Sequence, residues 1–188
     1  MYPKELDIRK PELTHWITSF RINYLTRTLD KLQELLADHE EMYQTAGWYD
    51  ETFLFEDQEE TLGFAFVACQ VFISGCIADS LGRTDKTAIS QDDKARIMKN
   101  DLQFKGQRTK IELINAVANY YKHKDEGEPS GSTKKILDAY QLLTKEFPIN
   151  EAFTLITENE ELQTLSEYLL NWRNHLFNSL GPAPVKPD

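Results

Sequence analysis

The sequence predicts an all-α protein: a single-domain bundle of about six helices, with two long helices at the N-terminal end. Three observations carry this. Apolar residues recur at helical spacing through most of the chain. No run alternates with the two-residue period of a half-buried strand. The 8 Gly and 7 Pro gather largely at the ends and in one loop, which leaves long segments free of breakers. A chain of 188 residues with 40% hydrophobic content suits one domain with a real core. Residues 1–180 are expected to form that domain and residues 181–188, GPAPVKPD, a flexible tail.

Residues 1–10 read as a loosely held lead-in. Pro11 is suited to the first turn of a helix, and Leu13, Ile17, Phe20, Tyr24, Leu25, Leu29, Leu32 and Leu36 keep its period to about Gln44. Thr26–Thr28 is where a bend would fall, and Gly47 is expected to end the helix in a left-handed cap. Asp50 or Asp57 caps the second helix, which runs to about Leu81. Its second half, Leu62–Ala78, is apolar on nearly every side, yet it carries Gln70 and Ser74 and falls short of the roughly 20 residues a membrane span needs. It is expected to be the buried central helix, with Gly63 and Gly75 permitting close approach by its neighbours. Residues 82–90 form a polar linker. Ser90 caps a short helix to about Asn100, and a basic turn follows around Gly106. Thr109 with Glu112 three residues on is a capping box for the next helix. DEGEPSGS, residues 125–132, is the one flexible internal loop. Thr133–Lys145 is helical until Phe147–Pro148, Asn150 caps a short turn to about Thr157, and Asn159 caps the last helix.

Net charge is −10, which disfavours nucleic acid on average and suits a basic partner. The charge is unevenly placed. Residues 34–60 hold ten acidic residues and no Lys or Arg, whereas residues 94–124 hold eight basic residues and two acidic ones. Cys69 and Cys76 are the only cysteines, about 10 Å apart on one helix face, too far for a disulfide. Buried free thiols and a polar N-terminus point to a reducing, cytoplasmic setting without a membrane.

One stretch combines a helical apolar stripe with concentrated functional groups: residues 111–126, IELINAVANYYKHKDE. Ile111, Ile114, Ala118 and Tyr121 should face the core, while Asn115, Asn119, Lys122 and His123 lie on another side. Asn119 and His123 are one turn apart, so amide, imidazole and ammonium are expected to converge. Such an imidazole suits general acid–base work on a phosphodiester, with Lys122 or Lys124 steadying the phosphate. Ala118-Asn119-Tyr120-Tyr121-Lys122-His123 resembles the Arg-Asn-x-x-x-His motif of HEPN-domain proteins, small helical bundles that are often dimeric and include many ribonuclease toxins of defence systems. The resemblance implies metal-independent RNA cleavage with Asn119 and His123 as catalytic residues, and RNA and a second copy of the chain as partners. Ala118 stands where the family has its arginine.

The acidic block offers Glu56, Glu59 and Glu60 near one helix turn. Its spacing resembles the all-α nucleotide pyrophosphohydrolases of the MazG type, but their Glu-x-x-Asp motif is absent, and Asp79 lies about 28 Å further along the helix. Trp172-Arg173-Asn174-His175 reads as a core tryptophan flanked by helix-end charge. There is no P-loop, nucleophile motif, zinc spacing or dinucleotide fingerprint, so no cofactor or metal is expected. The leading expectation is a non-catalytic protein that binds a basic protein, of the immunity or antitoxin kind, through Glu40, Glu41, Glu56, Glu59 and Glu60, with Lys122 and Lys124 as further binding residues. The HEPN-like ribonuclease using His123 is the alternative.

Overall fold

The computed structural model describes residues 11–81, 90–101, 103–104 and 108–179. The lead-in, the side chains of Leu13 and Ile17, most of the 82–90 linker, the turn at Gly106 and the C-terminal tail lie outside them. Within the described residues the protein is all-α. Its helices are α1 (Pro11–Thr45), α2 (Glu51–Ser80), α3 (Gln91–Met98), α4 (Lys110–His123), α5 (Gly131–Ala139), α6 (Pro148–Thr157) and α7 (Leu162–Ser179). Two 3₁₀ turns follow α4 and α5, at Lys124–Glu126 and Leu142–Thr144. The turn before α4 holds a short antiparallel ladder that the sequence pattern does not announce, β1 (Gln103–Phe104) on β2 (Arg108–Thr109). Two residues per strand are too few to display a period.

The long helices form as their caps dictate. Asp50 accepts the Thr52 and Phe53 amides at the start of α2, at 2.9 and 3.2 Å. Ser90 accepts the Asp93 amide for α3, and Thr109 and Glu112 exchange both bonds of the capping box for α4, at 3.0 and 3.1 Å. α1 and α2 are antiparallel, because the start of one meets the end of the other: Arg21 pairs with Asp79, and Glu40 accepts from Gln58. α2 touches α1, α3, α4, α6 and α7, so it is the helix around which the others gather. Phe66 is wholly enclosed and Phe72 nearly so. A side chain at Gly63 would strike the Tyr121 ring of α4, and one at Gly75 would strike the Arg21 guanidinium of α1. Both glycines therefore serve close approach. By length and composition α2 could cross a membrane, but 61% of its most apolar window is buried against the other helices.

Several expectations need correction. α2 is not buried on every side: Phe64 is 58% and Val71 67% exposed. With Phe20 and Tyr24 of α1 they line an apolar groove of about 800 Å³. Gly47 is not in the left-handed region; the chain leaves α1 through an Ala46 amide bond to the Met42 carbonyl. α5 ends at Ala139 rather than Lys145, because Gln141 takes a left-handed conformation and Tyr140 turns its hydroxyl to the ladder, accepting from Arg108 N and donating to its carbonyl. Asn150 does not cap α6. Pro148 opens that helix, and the Glu59 carboxylate of α2 accepts its Ile149 and Asn150 amides at 3.1 and 3.0 Å. The first amide of α7, on Leu162, goes to Gln33 of α1, while Asn159 binds the Glu161 amide and the Thr164 hydroxyl. Two of the cap positions expected locally are thus filled from distant helices. Cys69 and Cys76 are both buried and unbridged, and burial pushes their thiols up to about 12. Trp172 lies in the core.

Candidate functional site

The acidic stretch becomes the end of the α1–α2 hairpin. Two helices joined by a five-residue connection must present their adjoining ends together, so residues spread over 27 positions of sequence share one surface. Glu40, Glu41, Asp50, Glu51 and Glu56 are exposed there. Among them stand Trp48, Phe53, Tyr43 and Met42, with exposures of 68, 47, 43 and 38%. Trp48 packs edge-on against Tyr49 and Phe53, with ring centroids 5.6 and 6.3 Å away. Beneath, Tyr49 is buried and donates to Asp57 at 2.6 Å, and burial together with that bond raises its pKa. His39 reaches Thr61 at 3.1 Å. The end of the hairpin is therefore held from below while its aromatic residues stand open. Beside it, a groove of about 400 Å³ between α1, α2 and α6 carries Glu40 and Glu160.

Not all the acidic candidates stay on this surface. Glu59 is turned inward onto the start of α6. Burial raises its carboxyl to about 7, against the Ile149 and Asn150 amides and Lys124, which favour its charge. Glu60 binds Lys124 and accepts from the Tyr121 hydroxyl at 2.9 Å, and Lys124, before any other group, lowers its pKa. Glu60 and Lys124, both expected to bind a partner, thus hold each other and tie α2 to the end of α4. Glu40, Glu41 and Glu56 remain as the outward members of the set.

The α4 face divides in two. Gln70 of α2 is 7% exposed, and its Nε2 donates to Asn115 Oδ1 and Asn119 Oδ1, both at 2.9 Å. Its Oε1 accepts from Lys122 Nζ at 2.7 Å. His123 is not in this network. It is exposed, with Nδ1 3.0 Å from Glu126 Oε2. The imidazole therefore does not converge with the amides and ammonium as its spacing suggests. His123 and Asn119 do line one polar cleft of about 490 Å³, together with Glu126, Pro129 and Ser130. Ala118, in the place of the HEPN arginine, is fully buried in the core. A long cation at that position would be driven into the α4 packing, not toward the cleft.

Among the described residues, no group of three or more His, Cys, Asp or Glu side chains is gathered so as to hold a metal ion. Comparison with protein-family models, with curated proteins and with solved structures finds no match to this chain. Sequence reasoning missed the exposed aromatics of the hairpin end, although Tyr43, Trp48 and Phe53 in an unbroken acidic run are the signal for them. It also missed Gln70 as a hub. The signal there is a lone amide in an apolar helix, matched by Asn115, Asn119 and Lys122 at helical spacing.

Proposed function

We propose that the protein binds a positively charged protein through the end of its α1–α2 hairpin and acts without catalysis. One observation carries this: exposed carboxylates at Glu40, Glu41, Asp50, Glu51 and Glu56 surround exposed Trp48, Tyr43 and Phe53, in a stretch with no cation of its own. Aromatic anchors ringed by polar groups are how binding energy concentrates at protein interfaces. Charge of one sign around them speeds encounter with a partner of the other sign and repels the wrong ones. A toxin or nuclease whose basic surface grips nucleic acid is the partner class that fits, which makes an immunity- or antitoxin-like role in the cytoplasm the function this reading supports.

The test is association with the partner recovered from the native host, timed at two salt concentrations. The expected result is a basic partner whose on-rate falls steeply with salt, because exposed charges are screened over about 8 Å at physiological ionic strength. Glu40→Lys with Glu41→Lys should slow association, and Trp48→Ala should speed dissociation. An on-rate indifferent to both salt and charge reversal sinks the reading.

RNA cleavage by His123 is the second reading, favoured by the open cleft that His123 shares with Asn119. The buried Ala118 and the Glu126 carboxylate beside the imidazole weigh against it. A general base contributes 10²–10⁴-fold to rate, so its loss is easily measured. We expect no metal-independent RNA cleavage by the wild type; cleavage that vanishes in His123→Ala would install the nuclease.

A further inference from the structure

Beside the hairpin end, the groove of about 400 Å³ between α1, α2 and α6 combines two unlike kinds of lining. Leu36 of α1, Leu62 of α2 and Phe153 of α6 are buried side chains that line it. Phe55 lines it too, half-buried, with its ring 5.2 Å from that of Phe147. Two carboxylates join this apolar lining from different elements. Glu40 comes from the end of α1, and Glu160 from the connection between α6 and α7, where its backbone is left-handed with φ 59°. Each spends one oxygen inside the protein. Glu40 Oε1 accepts from Gln58 Nε2 at 2.9 Å, and Glu160 Oε1 from the Thr154 hydroxyl at 3.4 Å. Among the described residues the other oxygen of each accepts nothing, and no cation pairs with either acid. No described Lys, Arg or His lines the groove. A second groove, of about 530 Å³, shares Phe55, Asn150 and Thr154 with the first and adds Glu51, Glu146 and Glu151. The two therefore adjoin, and the acidic lining continues past the first. Of the added acids, Glu151 pairs with Lys145 at 3.5 Å.

We propose that the first groove receives the side chain of one arginine of the partner protein. This rests on the reading of the protein as a binder of a basic partner, and it names what that partner inserts. Charge complementarity and the mixed lining select the occupant. An apolar group would cover the two carboxylates and leave them without water or a donor, which is costly. A divalent cation takes oxygen ligands on all sides, whereas much of this lining is aliphatic and aromatic and no third acid is gathered with the two. An arginine answers both halves. Its methylenes lie along apolar surface while its charged end meets the acids. The planar guanidinium carries five N–H donors, enough for two carboxylates at once, and its faces stack on rings such as those of Phe55 and Phe153. A lysine ammonium is a compact, strongly hydrated point charge with three donors and no face to stack.

The test uses the full isotope-labelled chain and three probes at matched ionic strength. They are Nα-acetyl-arginine methylamide, its lysine analogue and its citrulline analogue, which keeps the shape of arginine without the charge. The readout is the NMR shift of the Gln58 and Asn150 side-chain amides, both of which line the groove. The arginine probe should shift them saturably. Citrulline should bind about tenfold more weakly, since it lacks charge-assisted hydrogen bonds, and lysine about threefold more weakly. Thr154→Trp, at an exposed position lining the groove, fills it and should abolish arginine binding. Glu160→Gln should weaken binding about threefold and leave the fold intact, because an exposed acid contributes little to stability. If Thr154→Trp unfolds, Glu160→Gln decides alone. Three results would overturn the groove: arginine shifting the two amides no more than citrulline, lysine binding as tightly as arginine, or Glu160→Gln binding arginine as tightly as wild type. The probes need no partner, so such a failure leaves salt-dependent association at the hairpin end standing. An on-rate indifferent to salt sinks the hairpin reading and leaves the probe result as it was.

Discussion

Two stretches of like charge meet opposite fates in this fold. The acidic stretch, residues 34–60, stays together at one end of the molecule with most of its carboxylates in water. The basic stretch, residues 94–124, is taken apart. Arg96 goes to Asp93, Arg108 to Glu112 and Lys124 to Glu60. Lys110 donates to the Ile156 carbonyl at 2.8 Å and lies over the Phe104 and Tyr168 rings. Lys122 donates to the Gln70 amide oxygen at 2.7 Å. The difference is topological. A hairpin of two long helices keeps its ends adjacent and pairs few of its acids, Glu34 with Lys31 and Glu60 with Lys124, whereas the basic stretch crosses a helix, a turn and a second helix, meeting other elements at each step. A charge run thus survives as a surface where the chain supplies few partners.

Both stretches hang on α2, and the largest expected effect tests that. Phe66→Ala should cost about 3–5 kcal/mol in chemical denaturation, because the ring is wholly enclosed. Phe64→Ala, on the open face, should cost under about 1 kcal/mol. The fluorescence of Trp48 at the hairpin end and Trp172 in the core should report a single transition. Separate transitions would mean that the two regions fold independently.

Next in size is the polar network on the basic side. Gln70→Leu removes the partner of Asn115, Asn119 and Lys122 at once. It should cost about 1–3 kcal/mol, since buried polar groups then lose their bonds. A neutral result would mean that water replaces the glutamine without loss.

Smaller again is the effect of Glu59, the member of the acidic stretch that turned inward. Its carboxyl is raised from about 4.5 to about 7 in the folded chain. Between those values the folded protein holds a proton that the unfolded chain has released. Stability should therefore be fully present below about pH 4.5 and fall as pH rises to about 7, by about 1–2 kcal/mol given the group's partial exposure. Glu59→Gln should flatten that slope between about pH 4.5 and 7. An unchanged slope assigns it to another group.

How much of this was legible in the sequence depends on how local the physics is. The helices, the Asp50, Ser90 and Thr109 caps and the enclosure of Phe66 follow from spacing within a few residues, and the structure has them. The caps at Ile149 and Leu162 were misread because their acceptors, Glu59 and Gln33, stand about 90 and 130 positions away. The same limit hid the division of Asn119 from His123. Helical spacing places both on one side, but the choice between Gln70 and Glu126 as partner is made by tertiary packing.

The smallest expected effect on stability belongs to the outward acids. Glu40→Lys with Glu41→Lys should shift unfolding by no more than about 0.5 kcal/mol, because exposed charges contribute little.

The most direct measurement of the central claim uses that stable variant. A photo-reactive benzoylphenylalanine is placed at Tyr43, on the hairpin end, and separately at Phe64, on the open face of α2, in the full chain expressed in its native host. The account predicts cross-linking from position 43 to a basic protein, lost when Glu40 and Glu41 are reversed to lysine, and no such adduct from position 64. Cross-linking from position 64 alone, or an adduct at position 43 that persists after charge reversal, would contradict it.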